Sequence, residues 1–217
     1  ELIGSPSPLA DAEIICLGAA ILSELNVLPH TTLHLNSLGD QESRLAYRQA
    51  LIGFLMQYRS SLSEDSQRRL NTNPLRILDS KSETDQAILA DAPRMPAYLS
   101  ASANAHFEQV SACLNKAEVN FRLDPLLVRG LDYYSHTAFE FITDALGAQG
   151  TVLGGGRYDS LSETLGGPPL PAVGFAAGIE RLALLGDDIA TAVPDVGLLA
   201  ADAEAEVEAL GLAVTLR

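Results

Sequence analysis

The sequence has no tryptophan, only two methionines and two cysteines, and aromatic residues make up 6% of it. A core built from this composition rests on Leu, Ile, Val and Ala rather than on stacked rings. Cys16 and Cys113 make neither a disulfide framework nor a zinc site. Both fall in apolar helical patterns and read as buried thiols of a reducing compartment. Cations are scarce: 14 Lys and Arg stand against 28 Asp and Glu, a net charge of −14. That excludes a protein whose whole surface is a nucleic-acid footprint and leaves room only for a local basic face. Much of the acid lies late, at Asp187, Asp188, Asp195, Asp202, Glu204, Glu206 and Glu208. No apolar run approaches the ~20 residues of a membrane span, and no signal-peptide pattern opens the chain. There is no internal repeat and no dedicated metal cage. The first residue is Glu1, in a strand-like Glu1-Leu2-Ile3-Gly4, so the chain is expected to be a piece of a longer protein.

What is present is enough for one sizeable core and a smaller unit: 217 residues, 47% of them hydrophobic. Ser7-Pro8 reads as cap and first residue of a helix, with Ile14, Leu17, Ile21, Leu22 and Leu25 at helical spacing. Asn26 and Pro29 end it. Thr31 to Asn36 alternates like a strand, with His34 at an outward polar position. From Gln41 to about Glu118 only helical patterns occur. Leu45, Tyr47, Ala50, Leu51, Phe54, Leu55 and Tyr58 form one stripe. Phe107, Val110 and Leu114 form another, on a helix that Ser100 or Ser102 caps. Between them, Arg68 to Lys81 is the most basic stretch of the chain. Strand patterns return at 120–128, 137–142 (Phe139 and Phe141 on one face), 149–153 and 172–177. The hairpin-length loops between the middle ones predict antiparallel pairing. Residues 178–185 read as a helix, Pro194 as a boundary, 195–199 as a strand and 201–210 as a helix.

Chemistry concentrates between Leu127 and Arg181. Three segments stand out: Arg129-Gly130-Leu131-Asp132-Tyr133-Tyr134, Gln149 to Asp159 with its Gly154-Gly155-Gly156 turn, and Gly174 to Arg181. An arginine closing an apolar strand, glycines for close backbone approach and neighbouring tyrosines suit a small anionic ligand. Tyr133 and Tyr134 are adjacent, so in a strand only one of them faces a pocket.

In this order and spacing, the three segments resemble the catalytic core of histidyl-tRNA synthetases, a family of class II aminoacyl-tRNA synthetases. They match its two histidine motifs and motif 3. The resemblance implies an α+β fold, with an antiparallel sheet flanked by helices and an all-helical insertion. The implied organisation is catalytic core at 1–40 and 119–192, insertion at 41–118 and the start of an α/β anticodon-binding domain at 193–217. It implies activation of histidine by ATP, with Mg²⁺ on the triphosphate, and transfer to the histidine tRNA. It also implies a cytoplasmic homodimer in the full-length protein. Arg129 is then the catalytic arginine bridging the histidine carboxylate and the α-phosphate. Glu1, Tyr133, Tyr134, Tyr158 and Gly174 join it around histidine. Thr151, Gly155, Gly178 and Arg181 serve ATP, with Glu180 structural. The Asn-Pro-Leu-Arg-x-Leu-Asp-Ser-Lys segment matches the insertion's signature. It makes Arg68, Arg69, Arg76 and Lys81 candidates for tRNA phosphates or for ion pairs that fix the insertion. Leu153 and Ser135-His136 depart from the family pattern. Motif 1 and most of motif 2 precede Glu1 in the family's order, so the piece alone is expected to be inactive. The rival readings are the regulatory subunit of ATP phosphoribosyltransferase and a non-catalytic binding module.

Overall fold

The computed structural model describes residues 1–127, 133–147, 150–186 and 196–215. Helix α1, Pro8–Glu24, starts where Ser7 accepts the Leu9 N–H and Pro8 takes the first turn. It stops at Asn26, whose φ of 56° is a left-handed position that asparagine tolerates. Its buried stripe is Ile14, Ile15, Gly18, Ala19 and Leu22. The stripe drawn from spacing is therefore rotated: Leu17 is 50% exposed, and Ile21 and Leu25 are exposed too. A helix apolar on most of its surface carries little periodic signal of which side faces in.

The sheet comprises β1 (Leu2–Ile3), β2 (Thr32–Ser37), β3 (Arg122–Leu123), β4 (Ser135–Ile142), β5 (Thr151–Arg157) and β6 (Ala172–Ala177), in the order β1-β6-β5-β4-β2-β3. Every pair is antiparallel except β2 with β3. Those two are parallel because the whole helical insertion forms the crossover between them. Of the strand expected over 120–128, the described residues 120–127 hold only Arg122–Leu123. The expected pairing of the middle strands is as observed: Phe139 faces Gly155, and Gly155 faces Phe175.

One face of the sheet is covered by α1 and by α5 (Ala101–Lys116). Phe139, Phe141, Leu153 and Val173 pack there with Ile15, Leu22, Val110 and Leu114. Ser100, not Ser102, caps α5, accepting the Ala103 N–H at 3.1 Å. A second core belongs to α2 (Gln41–Gln57), α3 (Glu64–Thr72), α4 (Glu83–Leu89) and the turns between them: Tyr47, Leu51, Leu55, Leu70, Ile77 and Leu89. Of the anticipated α2 stripe, Leu45 and Tyr58 lie outside that core and are exposed. By packing, α5 belongs with the sheet and the insertion's own core ends near Leu99. Short α6 (Leu161–Thr164) and α7 (Ile179–Leu185) follow β5 and β6.

Residues from 187 onward form a separate unit. Within it, Ala203–Thr215 is a helix, α8, as expected. Val196 to Leu199 is not a strand, which corrects the reading of 195–199. A strand requires a hydrogen-bonding neighbour, and among the described residues this segment pairs with none.

Candidate active site

The three consecutive glycines are not a turn. Gly154, Gly155 and Gly156 form the middle of β5, paired to β4 on one side and β6 on the other. A Cβ on Gly155 would lie 2.0 Å from the Gly174 carbonyl oxygen, and one on Gly156 would lie 2.4 Å from that of Thr137 and 2.9 Å from the Tyr134 ring. Glycine in a strand interior marks a place where backbone and rings come unusually close.

Strand alternation decides which glycines face the ligand side. Leu153 points to the helix side, since a Cβ on Gly18 would touch its methyls at 3.4 Å. Gly155 shares that parity, and so does Arg157, whose guanidinium reaches Asp11 on α1. Gly154 and Gly156 therefore lie on the open face, with Ala138, Glu140, Gly174 and Ala176 beside them in register. Gly154, and not Gly155, therefore lies on the face that carries Glu140 and Ala176. Leu153, one of the departures, is a buried core residue that packs against α1 beside Gly18.

At one end of this floor three tyrosines meet. The Tyr133 and Tyr134 rings are 4.7 Å apart, and Tyr158 stands nearly edge-on to both, at 5.8 and 6.1 Å. Tyr133 and Tyr134 precede β4, so the alternation that would have separated them does not operate and both rings join one cluster. Such tilted aromatic pairs stabilise one another beyond their buried area. Glu1 lies alongside: its carboxyl covers Gly174, where a Cβ would sit 2.1 Å from Oε2. At the other end is a cleft of about 450 Å³ lined by Glu140, Thr151, Gly154, Gly178, Glu180 and Arg181. Thr151 Oγ1 donates to Glu140 Oε2 at 2.8 Å, and Arg181 Nη1 donates to the Thr151 carbonyl at 2.5 Å. A Cβ on Gly178 would crowd the Arg181 side chain at 3.2 Å. The structure thus gathers Glu1, Tyr133, Tyr134, Tyr158 and Gly174 at one end, and Thr151, Gly178 and Arg181 at the other. Arg129 lies outside the described residues. Glu140 and Glu180 join the cleft, the first unremarked in the sequence and the second read as structural. The Phe139-Glu140-Phe141 alternation was the signal for Glu140, since it sets a carboxylate on the face opposite two core rings.

Behind the floor lies a buried network that the sequence did not disclose. Arg157 and Asp11 are paired with both side chains fully buried. Thr137 Oγ1 donates to Asp11 at 2.6 Å, and His106 Nε2 meets the same carboxylate at 2.7 Å. Burial would raise the Asp11 pKa, but the bonds from His106, Arg157 and Thr137 and the Arg157 charge hold it below the usual carboxylate value. His136, the other departure, stacks on His106 at 4.5 Å, with Nδ1 buried and unpartnered among the described residues. Burial, then the His106 charge, pushes its pKa below the ordinary histidine value. His34 is not a solitary outward residue: its Nδ1 bonds Asp124 at 2.9 Å. Cys16 and Cys113 are free and only half-buried, rather than buried as expected.

Of the four candidate cations in the insertion, Arg68 and Arg69 both pair with Asp65, and Arg69 also donates to the Arg76 carbonyl. Arg76 and Lys81 are exposed. Among the described residues no cluster of three acidic, histidine or cysteine side chains could hold a metal by itself, and no helix is long and apolar enough to cross a membrane.

Comparison with known proteins bears on the same features. The family model for histidyl-tRNA synthetase matches residues 1–182. The histidine–tRNA ligase of Rhodospirillum rubrum is 54% identical over 218 residues, covering 100% of this chain and 52% of that protein. That of Thermosynechococcus vestitus is 53% identical over 220 residues, covering 100% and 51%. The crystal structure of apo Staphylococcus aureus histidyl-tRNA synthetase superposes with a TM-score of 0.68 at 39% identity, over 84% of this chain and 44% of that one. The chain spans about half the length of the curated relatives it matches. With a family model matched across most of its length and relatives at this identity, the chain belongs to the histidyl-tRNA synthetase family.

Proposed function

We propose that this chain is part of a histidine–tRNA ligase: it activates histidine with ATP and passes it to the histidine tRNA. The observation that carries this reading is the glycine-floored open face, with a tyrosine cluster and a carboxylate at one end and an arginine-lined cleft at the other. Histidine occupies the tyrosine end, where ring faces wall the imidazole and a phenol can donate to or accept from its nitrogens. The Glu1 carboxylate meets the α-ammonium. ATP occupies the cleft, its adenine and γ-phosphate toward Arg181. The amino acid's carboxylate oxygen attacks the α-phosphorus and pyrophosphate leaves. The 3′-terminal hydroxyl of the tRNA then attacks the adenylate carbonyl and AMP leaves. The nucleophile of the first step is already ionised, so the protein supplies placement and charge rather than a strong base. Arg129 is assigned the α-phosphate, where a guanidinium stays charged and binds two oxygens at once.

Mg²⁺ bound with the triphosphate would supply neutralisation of its charge, and Glu140 and Glu180, which line the cleft, would be its oxygen donors from this chain. One or two carboxylates beside phosphate oxygens are a donor set magnesium accepts. The protein is read as acting in the cytoplasm as a homodimer. Of the four candidate cations, Arg76 and Lys81 are left for tRNA phosphates, while Arg68 and Arg69 serve the ion pairs with Asp65.

Histidine-dependent exchange of pyrophosphate into ATP by the full-length protein tests this directly. Arg129→Ala is expected to slow it by several hundredfold, the cost of losing one preorganised charge at a transition state, about 3–4 kcal/mol. A rate near wild type would remove Arg129 from the mechanism.

A further inference from the structure

Arg157 has no part in the reading above, yet it is the largest fully buried side chain among the described residues. It closes β5, one position before Tyr158. Its guanidinium is fully engaged. Nε and Nη2 donate to Asp11 Oδ1, and Nη1 donates to Asp159 Oδ1 at 3.0 Å and to the Ser5 carbonyl at 2.9 Å. Nη2 also donates to the Ser7 carbonyl at 3.1 Å. A buried ion pair is seldom more stable than apolar residues of the same volume, because desolvation offsets the attraction. What such a pair does provide is position.

The partners show what is positioned. Asp159 Oδ1 also accepts the Ala172 N–H at 3.2 Å, so Arg157 ties the Tyr158–Asp159 turn to the start of β6. Ser5 and Ser7 lie in the turn between β1 and α1, and β1 follows directly on Glu1. Both flanks of the tyrosine end therefore hang from one guanidinium. The ATP cleft does not. Its nearest strand residue, Gly154, is three positions from Arg157, and its Thr151 end is six positions and about 20 Å away at ~3.3 Å per residue, held by its own Thr151–Glu140 and Arg181–Thr151 bonds.

We propose that Arg157 is the positioning residue of the histidine half-site, holding Tyr158 and Glu1 on either side of the glycine floor without touching substrate. This rests on the reading of that end as the histidine site. Lysine cannot substitute, because one ammonium cannot span acceptors on Asp11, Asp159, Ser5 and Ser7 as a planar fork does.

The test is pyrophosphate exchange by the full-length protein. Arg157→Lys is expected to raise the KM for histidine about tenfold or more, with the KM for ATP within about twofold, since misplacement by ~1 Å can cost up to about a hundredfold. Asp159→Asn keeps an oxygen for the Ala172 N–H but removes the charge partner, and should shift the histidine KM the same way by a smaller factor. Asp85→Asn, in the insertion, is the control: it lowers the melting temperature and leaves the histidine KM alone. If Arg157→Lys does not fold, Asp159→Asn decides, and an unchanged histidine KM there overturns the proposal. Parallel loss of turnover and both affinities in the variants, matching a smaller fraction of active enzyme, also overturns it. A wild type without histidine-dependent exchange would instead overturn the functional reading, and this inference with it.

Discussion

At the scale of single residues, the decisive quantity is how much room a side chain has and whether its polar atoms are paired. Gly155 and Gly174 make a clean contrast. An alanine Cβ at Gly155 meets backbone at 2.0 Å, which cannot yield, whereas one at Gly174 meets the end of the Glu1 side chain, which can. Gly155→Ala is therefore expected to cost about 3 kcal/mol or more in stability, at the upper end of overpacking effects. Gly174→Ala should leave stability nearly unchanged and raise the histidine KM by displacing the Glu1 carboxyl. Denaturant unfolding and exchange kinetics separate the two. Tyr47 is the opposite case. It is buried in the insertion core, its hydroxyl has no partner among the described residues, and burial pushes its pKa up to about 12. An unpaired buried hydroxyl costs roughly 1–3 kcal/mol, so Tyr47→Phe should raise the melting temperature. A clear drop would mean the hydroxyl has a partner.

At the scale of elements, two aspartates organise the helices. Asp40 caps α2 through the Ser43 N–H at 2.9 Å and binds the Ser100 hydroxyl at 2.5 Å, so one carboxylate closes the insertion where the chain leaves and returns. Burial opposes its charge, but Ser100 and Ser43 hold its pKa well below the ordinary carboxylate value. Inside the insertion, Asp85 accepts from the Ser63 N–H and the Ser63, Ser66 and Ser80 hydroxyls at 2.6–2.8 Å. Burial raises its pKa, but those hydroxyls outweigh it and bring the value from 3.8 to about 2. A shift of that size corresponds to roughly 2–3 kcal/mol in favour of the ionised form. Asp85→Asn should lose about that much, with hydrogen-exchange protection falling across α3 and α4 and holding in α1 and α5. Uniform loss of protection would show that the insertion and the sheet unfold together.

At the scale of the folded molecule, pH dependence follows from His136. Its folded pKa lies below the ordinary 6.5 because burial and the facing His106 disfavour the cation; Arg157 adds to this, and Asp159 and Asp40 partly oppose it. The unfolded chain therefore binds the proton more readily, and stability should fall as pH drops below about 6.5. A second loss is expected below about 4, as protons compete for the depressed Asp85 carboxylate. Melting temperatures from pH 8 to 5 should show the first, with a shallower slope in His136→Asn, since asparagine tolerates the φ of 47° at this position. An identical slope in the variant would assign the pH dependence to other groups.

The sequence by itself determined what is decided within a few residues of chain: the Ser7-Pro8 start of α1, its stop at Asn26, the all-helical character of the insertion, and Phe139 and Phe141 on one face of β4. Caps, turns and strand alternation are local physics, so they survive being read one residue at a time. Only the tertiary structure decided which surface each element presents. It moved Leu17 from core to surface, because α1 is apolar on most sides. It turned three glycines from a loop into a strand, where Gly155 and Gly156 are held to glycine by backbone and ring atoms 19 or more positions away in sequence. It assembled Arg157 with Asp11, 146 residues apart, and left Val196 to Leu199 without a strand to pair with among the described residues. Contacts at such separations depend on how strands pair and helices dock, and no local pattern along the chain records that.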